Sequence, residues 1–462
     1  MASASPTPQA SADSPAPTAH VTHFECLEPQ LEGSTVRLRY AARAGDEPVA
    51  EFTEVVELPA ALDGAPAPVV EGVLRLLSLA ASLSYFKAFA PAVLVVPDGL
   101  TDAERAFITA LIGGGLGEFA FVNQMPEVLS TEVQAPVLPV AQAGEPAATP
   151  ADPESGDSRR LLVAVGGGKD SIVSIESLRG AGLDVGLFAV NTQPPMARTA
   201  EVAQLPLHEV RRRLDPELFA LNAAGAPNGH IPVTAVNSLI AVLTALALGY
   251  DGVVFSNEAG SSYGNFAWAG RVINHQWSKG IEFERLLRET LPAGAPDYVS
   301  LLRPINEIRI ARRFATLTDY HPVFTSCNRA FRIHGASATW CGDCPKCRFI
   351  FLMLAPFVRR DELLEIFGGR DLFADEGQLT GFLELLGTDG LVKPFECVGE
   401  PDECRVALSL LRERDDWSGH PFLGRPEIAG VSATAAEREA VFAWHAGEHF
   451  LYPQLEAVAR AI

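Results

Sequence analysis

Hydrophobic and polar positions change their period several times along the chain, and each change marks an element. Residues 1–20 are Ala, Ser, Pro and Thr with almost nothing large and apolar. Such a segment cannot offset its ordering entropy by burial and reads as a disordered tail. From Thr35 to Tyr40 apolar and polar residues alternate, Gly45-Asp46 marks a turn, and alternation resumes from Glu51 to Leu58, which predicts a hairpin. Helical spacing over Val70–Phe86 and Asp102–Ile112 flanks a short apolar run, Ala92–Val96, of strand type. Residues 21–134 are therefore expected to form a small α+β domain. The next stretch, 135–158, is rich in Ala, Pro, Glu and Gly without an apolar period and reads as an extended linker.

After it, Leu161–Val165 is apolar throughout, three glycines follow, Ile172–Leu178 has helical spacing, and Val185–Val190 is apolar again. Strand, loop, helix and strand in that order imply a parallel sheet with helices on both faces. Thr234–Leu248 suits a buried helix and Gly252–Phe255 the next strand. Residues 159–360 are thus expected to be an α/β unit. The remainder, 361–462, reads as mainly helical with Gly and Asp breaks and no legible chemistry.

Composition narrows the function. A chain of 462 residues with 48% hydrophobic content can bury more than one core, as two or three domains would. A formal net charge of -21 excludes sequence-independent nucleic-acid binding, because most of the surface would repel a phosphate backbone, but leaves room for a local basic pocket. The first Lys or Arg is Arg37, so the start lacks the charged and apolar regions of a secretory signal, and a soluble cytoplasmic protein is the expectation. The apolar stretches Ser238–Tyr250 and Phe349–Val358 are too short to span a bilayer, so no membrane insertion is expected. Seven cysteines are too few and too unevenly placed for a disulfide framework.

A parallel strand that ends in Gly166-Gly167-Gly168 and runs through Lys169-Asp170-Ser171 into a helix presents bare N–H groups where the macrodipole favours an anion. That is a phosphate cradle. Ser171 can add a hydroxyl donor, Lys169 a charge, and Asp170 can orient the loop or help hold Mg2+. The spacing is neither the Walker pattern nor G-x-G-x-x-G. It resembles the PP-loop, Ser-Gly-Gly-x-Asp-Ser, of the N-type ATP pyrophosphatases, with Gly166 standing where those loops carry Ser. The resemblance implies that the loop binds the pyrophosphate of ATP, and it implies the parallel-sheet HUP-like fold of that superfamily.

Cys341-Gly-Asp-Cys344-Pro-Lys-Cys347 sets three thiolates at two C-x-x-C spacings, with Cys327 upstream as a fourth. Four soft ligands suit a closed tetrahedral zinc site, which would pin the region after the sheet and take no part in catalysis. An iron-sulfur cluster is the rival occupant. The arrangement resembles the zinc site of the queuosine-precursor nitrile synthases, PP-loop enzymes that adenylate a carboxylate. Cys26, Cys397 and Cys404 have no such spacing and read as structural.

Three polar segments could form a substrate site: Asn228–Ser238, Ser256–Gly264 and Val272–Gly280. The second follows a strand directly, and ligands of open α/β sheets sit outside the carboxyl ends of strands. Ser256, Asn257 and Glu258 are therefore candidates to face a nucleotide.

Together these segments resemble the MurL family, the UDP-N-acetylmuramoyl-L-alanyl-L-glutamate epimerases of peptidoglycan precursor synthesis. The likeness rests on Gly166–Ser171, Asn228–Ser238, Ser256-Asn-Glu, Asn274-His-Gln-Trp-Ser-Lys-Gly, Ser300-Leu-Leu-Arg-Pro, Ser326-Cys-Asn-Arg and Trp340–Cys347. It extends to Lys393–Glu400 and, nearer the start, to Ser84-Tyr-Phe-Lys-Ala and Gly117-Glu-Phe-Ala. It implies that ATP and Mg2+ convert the terminal L-Glu α-carboxylate of UDP-MurNAc-L-Ala-L-Glu to an acyl-adenylate, releasing pyrophosphate. Adenylation removes the negative charge that keeps the Cα proton from leaving; proton exchange and hydrolysis then give D-Glu and AMP. His230, His275 and Lys279 are the candidates for proton transfer. Glu258 would serve Mg2+ or the nucleotide, and Asn237, Arg303 and Arg329 the substrate, the two arginines as anion clamps. The alternative is an amide- or nitrile-forming synthetase that adenylates a carboxylate and consumes ammonia. A nucleotide-binding module without turnover is a third reading, and the intact Lys169, Asp170 and Ser171 weigh against it.

Overall fold

The computed structural model describes residues 21–139, 159–330, 340–388, 391, 394–396 and 398–462. The expected tail, most of the expected linker and Cys397 lie outside them. Thirteen strand segments are assigned: β1 (His23–Cys26), β2 (Gln30–Glu32), β3 (Thr35–Ala44), β4 (Glu47–Glu57), β5 (Val93–Val95), β6 (Glu132–Gln134), β7 (Arg160–Ala164), β8 (Asp184–Val190), β9 (Leu207–Arg213), β10 (Gly252–Phe255), β11 (Phe266–Trp268), β12 (Arg271–Ile273) and β13 (Asp297–Ser300). Eleven of them join one sheet in the order β13-β10-β7-β8-β9-β4-β3-β1-β5-β6, with β2 on β3; β11 and β12 form a separate hairpin.

The half from β13 to β9 is parallel throughout, as its strand-loop-helix order requires. The predicted hairpin is β3–β4, paired from Thr35 opposite Glu57 to Ala44 opposite Glu47. One junction is absent from the sequence reading: β4 pairs antiparallel with β9, Val55 opposite Arg213 to Glu57 opposite Arg211, so a single sheet crosses from the early residues into the later ones. Strand β9, Leu-His-Glu-Val-Arg-Arg-Arg, escapes apolar scanning because only Val210 is fully buried. Arg212 reaches back from it to the buried Glu54 of β4, with Nε 2.6 Å from Oε1.

Side chains of the parallel strands alternate between two cores. Leu161 and Val163 of β7 and Val185 and Leu187 of β8 face α4 (Lys169–Gly180) and α9 (Glu307–Phe314), together with the helices after residue 344. Leu162 and Phe188 face the other way, towards α1 (Ala67–Phe86), α2 (Asp102–Gly115) and α7 (Val233–Leu248). Both faces of the sheet are covered, which is why its central strands read as unbroken apolar runs.

Among the described residues α1 is the one single helix long and apolar enough to cross a membrane, and 83% of its apolar window is buried inside the protein. Glu71 and Arg75 interrupt its apolar run, so the sequence shows a helical period there without an unbroken apolar stretch. Arg75 lies on Glu104 at 2.6 Å, and Glu104 also closes the capping box that starts α2.

Short helices link these cores to the site: α3 (Gly117–Asn123), α5 (Pro194–Ala203), α6 (Pro216–Ala223), α8 (Ile281–Thr290) and α10 (Pro345–Leu354). Beyond Arg359 the described chain is helical, as expected, through α11 (Arg360–Ile366), α12 (Leu379–Leu386), α13 (Pro401–Leu411), α14 (Pro426–Ala429), α15 (Ala435–Phe442) and α16 (Pro453–Arg460).

Candidate active site

The parallel strands β7, β8 and β10 end at one cavity of about 340 Å3, lined by Ala164, Val190 and Phe255 at their carboxyl ends. Gly166, Gly168, Asp170 and Ser171 form its floor. Gly168 caps α4 and the helix begins at Lys169, so the helix N-terminus opens on the cavity. Gly167 must be glycine. Its φ is +75°, and a Cβ there would lie 2.8 Å from Cβ of Pro195. At Gly166, by contrast, a Cβ would meet nothing within 4 Å, so the Ser of the resembled loops fits this position.

Ser171 donates its hydroxyl to Gly168 O at 3.1 Å, and Thr325 N donates to Gly167 O at 2.9 Å, which ties the loop to the segment that brings Ser326 to the cavity. Burial works to raise the Asp170 carboxyl, but the charges of Lys169, Lys346 and Lys279 outweigh it and hold Asp170 below its ordinary range. It is an anion facing a cavity that also collects Lys279 and Lys346, cations in a strongly acidic chain. Such a cavity suits a polyphosphate with its divalent counter-ion.

Lys169 itself turns away from this cavity. Its side chain is fully buried and its ammonium contacts both Asp170 and Glu307 on α9. Burial opposes the charge, yet the two carboxylates prevail and keep Lys169 protonated. Glu307 and Glu403, both buried, are pushed up by that burial, Glu403 to about 8 with further help from Glu307 and Glu258. Lys169 is thus the cation that steadies a buried carboxyl group cluster behind the loop. Removing one partner of such a pair costs about 3–5 kcal/mol.

The polar loop after β10 divides. Ser256 and Asn257 line the cavity, Ser256 donating to Ser174 Oγ at 2.8 Å and Asn257 to Ser300 Oγ at 3.0 Å. Glu258 lies behind them, its Oε2 accepting from Ser261 N at 2.9 Å. Asn237 of α7 is on the cavity wall. Arg303 is not. Its buried guanidinium bonds Glu284 Oε2 at 2.9 Å, Glu258 O at 3.0 Å and Ser261 Oγ at 2.9 Å, and also reaches Lys279 O. It fastens the two polar loops together, which differs from the role of an anion clamp. Arg329 lies half-exposed beside the cysteines, 3.0 Å from Asp343.

Cys327, Cys341, Cys344 and Cys347 bring their sulfurs within 4.8 Å of one another. Cys341 and Cys344 lie 3.6 and 3.5 Å from Cys347, close to the ~3.8 Å edge of a tetrahedron with metal–sulfur bonds of about 2.3 Å. The N–H of Cys341 points at Cys327 Sγ and that of Asp343 at Cys341 Sγ, each at 3.4 Å, an arrangement that supports thiolate charge. The donor set therefore fits a thiophilic cation. Two arms of the cavity grow from this knot: Thr325, Ser326 and Asn328 beside Cys327, and Lys346 in the first turn of α10 between Cys344 and Cys347.

His230 and His275 meet at a second cluster. Their ring centroids are 4.4 Å apart at an interplanar angle of 41°. Nδ1 of His275 contacts Oε2 of Glu118, and Nδ1 of His230 is 4.0 Å from the same oxygen. Glu118 sits in the first turn of α3. The backbone of His275 is fixed by its amide N–H donating to Asn265 Oδ1 at 2.9 Å. His230 follows Asn228 and Gly229, which accept from Lys87 at the end of α1. Burial, then the charges of His275, Lys279 and Lys87, lower His230 to about 4 against the pull of Glu118, so it is neutral near pH 7. Burial alone lowers Lys87 to about 8. Lys279 thus acts on both centres, lining the cavity and depressing His230.

Sequence reasoning did not single out Glu118, Lys87, Lys346, Ser326 or Glu307 for a role, although the first four stand inside quoted segments. Their signal was a charged or hydroxyl residue within an otherwise apolar or cysteine-rich stretch, and it gains meaning only once the fold brings them to the loops.

Residues 16–301 match the family described as the MurL N-terminal domain, and residues 323–441 the MurL C-terminal domain. A protein of Micromonospora sp. named UDP-N-acetyl-alpha-D-muramoyl-L-alanyl-L-glutamate epimerase is 48% identical over 430 residues, covering 91% of this chain and 93% of that protein. Proteins of the same name from Salinispora tropica and Xanthomonas oryzae pv. oryzae are 50% identical over 408 residues and 45% over 405, each covering 86% of this chain and 87% of its own.

Proposed function

Because the chain belongs to the MurL family, we propose that it is an epimerase that inverts the terminal L-Glu of UDP-MurNAc-L-Ala-L-Glu, using ATP to activate the α-carboxylate as an acyl-adenylate. The observation that carries this reading is the adjacency of two centres with different chemistry. The glycine cradle suits the phosphates of ATP, and the histidine cluster suits proton exchange, with Lys279 acting on both.

In this account the N–H groups at the start of α4, with Ser171 and Ser326, hold the pyrophosphate portion of ATP, as a PP-loop does. Asp170, held anionic by the neighbouring lysines, would supply a ligand to Mg2+. Lys279 and Lys346 would stabilise the charge that develops on the α-phosphate and the departing pyrophosphate as AMP is transferred. Once the carboxylate is held as a mixed anhydride with AMP, loss of the Cα proton leaves a single-charged enolate instead of the dianion that an ionised carboxylate would give. His230, His275 and Lys279 exchange the proton, and water cleaves the adenylate to D-Glu and AMP. Zinc at the four cysteines would be structural: Cys327, Cys341, Cys344 and Cys347 would hold it and thereby keep Ser326 and Lys346 at the cavity.

The test is to incubate the protein with ATP, Mg2+ and UDP-MurNAc-L-Ala-L-Glu, hydrolyse, resolve the glutamate by chiral chromatography, and assay AMP and pyrophosphate. D-Glu formed together with AMP is expected. Absence of D-Glu defeats the reading, and an ammonia-dependent product of altered mass would establish the synthetase alternative instead.

A further inference from the structure

Inversion at Cα requires a proton to leave one face and another to arrive at the opposite face. A carbon held between two rings needs about 3.5 Å of contact on each side, so flanking imidazoles must stand about 7 Å apart. His230 and His275 are 4.4 Å apart. They cannot stand on opposite faces of one carbon. Both Nδ1 atoms instead converge on one carboxylate oxygen, that of Glu118. Lys279 belongs to a different element edge, the turn before α8, and lines the cavity at the ends of β7, β8 and β10.

We infer that Glu118, His275 and His230 act as one proton-handling unit at a single face of the substrate Cα, with Glu118 as its positioning residue, and that Lys279 serves the opposite face. The inference rests on the epimerase reading and deepens it. In each inversion one side takes the Cα proton while the bonding pair moves into the activated acyl group. The other side gives a proton to Cα as that pair returns. One side ends a proton richer and the other a proton poorer, and exchange with water restores both.

Glu118 has three consequences within the unit. It accepts from His275, orienting that ring. It pulls the His230 imidazole towards its protonated form against burial and the neighbouring cations. It also ties the pair to α3, so the early part of the chain completes the proton-transfer centre. The Lys87 bonds to Asn228 and Gly229, and that of Asn123 to Asn228 O at 3.1 Å, hold the segment leading to His230 from the same side.

The experiment uses the full chain with ATP, Mg2+ and UDP-MurNAc-L-Ala-L-Glu in deuterated water, reading deuterium at Cα and configuration in the recovered glutamate. Loss of the group on the far face leaves deuterium entering without inversion, while loss of the group on the near face stops deuterium entry. Glu118→Gln, His230→Asn and His275→Asn are expected to share one of these patterns, and Lys279→Gln to show the other. The histidine variants should lose about a hundredfold in the affected step and Glu118→Gln about tenfold. Glu118→Asp, which keeps the charge, should recover part of the loss, and the pH limb of the unit should move to lower pH in Glu118→Gln because the imidazolium loses its anion. Opposite patterns for the two histidine variants, a shared pattern for Lys279→Gln, or an Asp variant no better than Gln would overturn the inference. If the unaltered protein forms no D-Glu and takes up no deuterium, the epimerase reading fails instead.

Discussion

The glycine cradle and the histidine cluster share the influence of Lys279 but are built from different material. The cradle is backbone: Gly166 to Gly168 leave room for an anion at the start of α4, and a positive φ at Gly167 aims the turn. An anion held there stays charged without any protonation change, and fixed N–H dipoles match it without changing state. The histidine cluster is side chain, taken from α3, from the segment before α7 and from the loop after β12. A proton-transfer group must change charge in every turnover, so its neighbours set its protonation. His230 is lowered to about 4 by burial and nearby cations and lifted by Glu118. The difference separates activation from inversion, and inversion should be removable without activation.

The largest effect is expected from Asp170→Ala, which should cut pyrophosphate release by about a thousandfold and D-Glu formation with it, since activation comes first. His275→Asn should sharpen the comparison: D-Glu formation falls about a hundredfold while AMP release stays within about threefold of normal, as the adenylate is hydrolysed without inversion. Parallel loss of both activities in a folded His275→Asn variant would erase the distinction between the centres.

Cys344→Ser should lower bound metal, measured by elemental analysis, and raise the KM for ATP about tenfold, because Lys346 and Ser326 lose their common anchor. The histidine cluster has no such anchor in the cysteines and should be affected only through the supply of adenylate. The smallest effect concerns the carboxyl cluster behind the cradle. Glu403 ionises in the unfolded chain near its ordinary 4.5 but only at about 8 when folded. The raised folded value means that its contribution to stability is full below 4.5 and is lost as pH rises towards 8. Glu403→Gln carries no such dependence, so its Tm relative to the unaltered protein should rise by about 2–4 °C between pH 5 and pH 8.5 in calorimetry.

The same contrast explains what could be read in advance. The cradle is six consecutive residues following an apolar strand, and the cysteine knot is largely one short run, so both announce themselves locally. Strands β7, β8 and β10 and helix α7 were legible because apolar runs must be buried on both sides, whereas β13, Asp297–Ser300, was not. The join between β4 and β9 was not, because Arg211, Arg212 and Arg213 hide a strand whose pairing partners lie far earlier in the chain. Glu118 stands 112 residues before His230 and 157 before His275, and only packing of α3 against the polar loops brings the three together. Arg303 looked like an anion clamp because an arginine in a polar stretch has the right chemistry for one. Burial and six protein partners give it the work of holding the loops.

The most direct test of the two-centre account is Cα exchange in deuterated water with and without ATP. Activation before inversion predicts that deuterium enters the glutamate Cα of UDP-MurNAc-L-Ala-L-Glu only when ATP and Mg2+ are present, with at least one AMP formed for each D-Glu. Deuterium entry at an undiminished rate without ATP would show that the histidine cluster works on the free carboxylate, and would contradict the account.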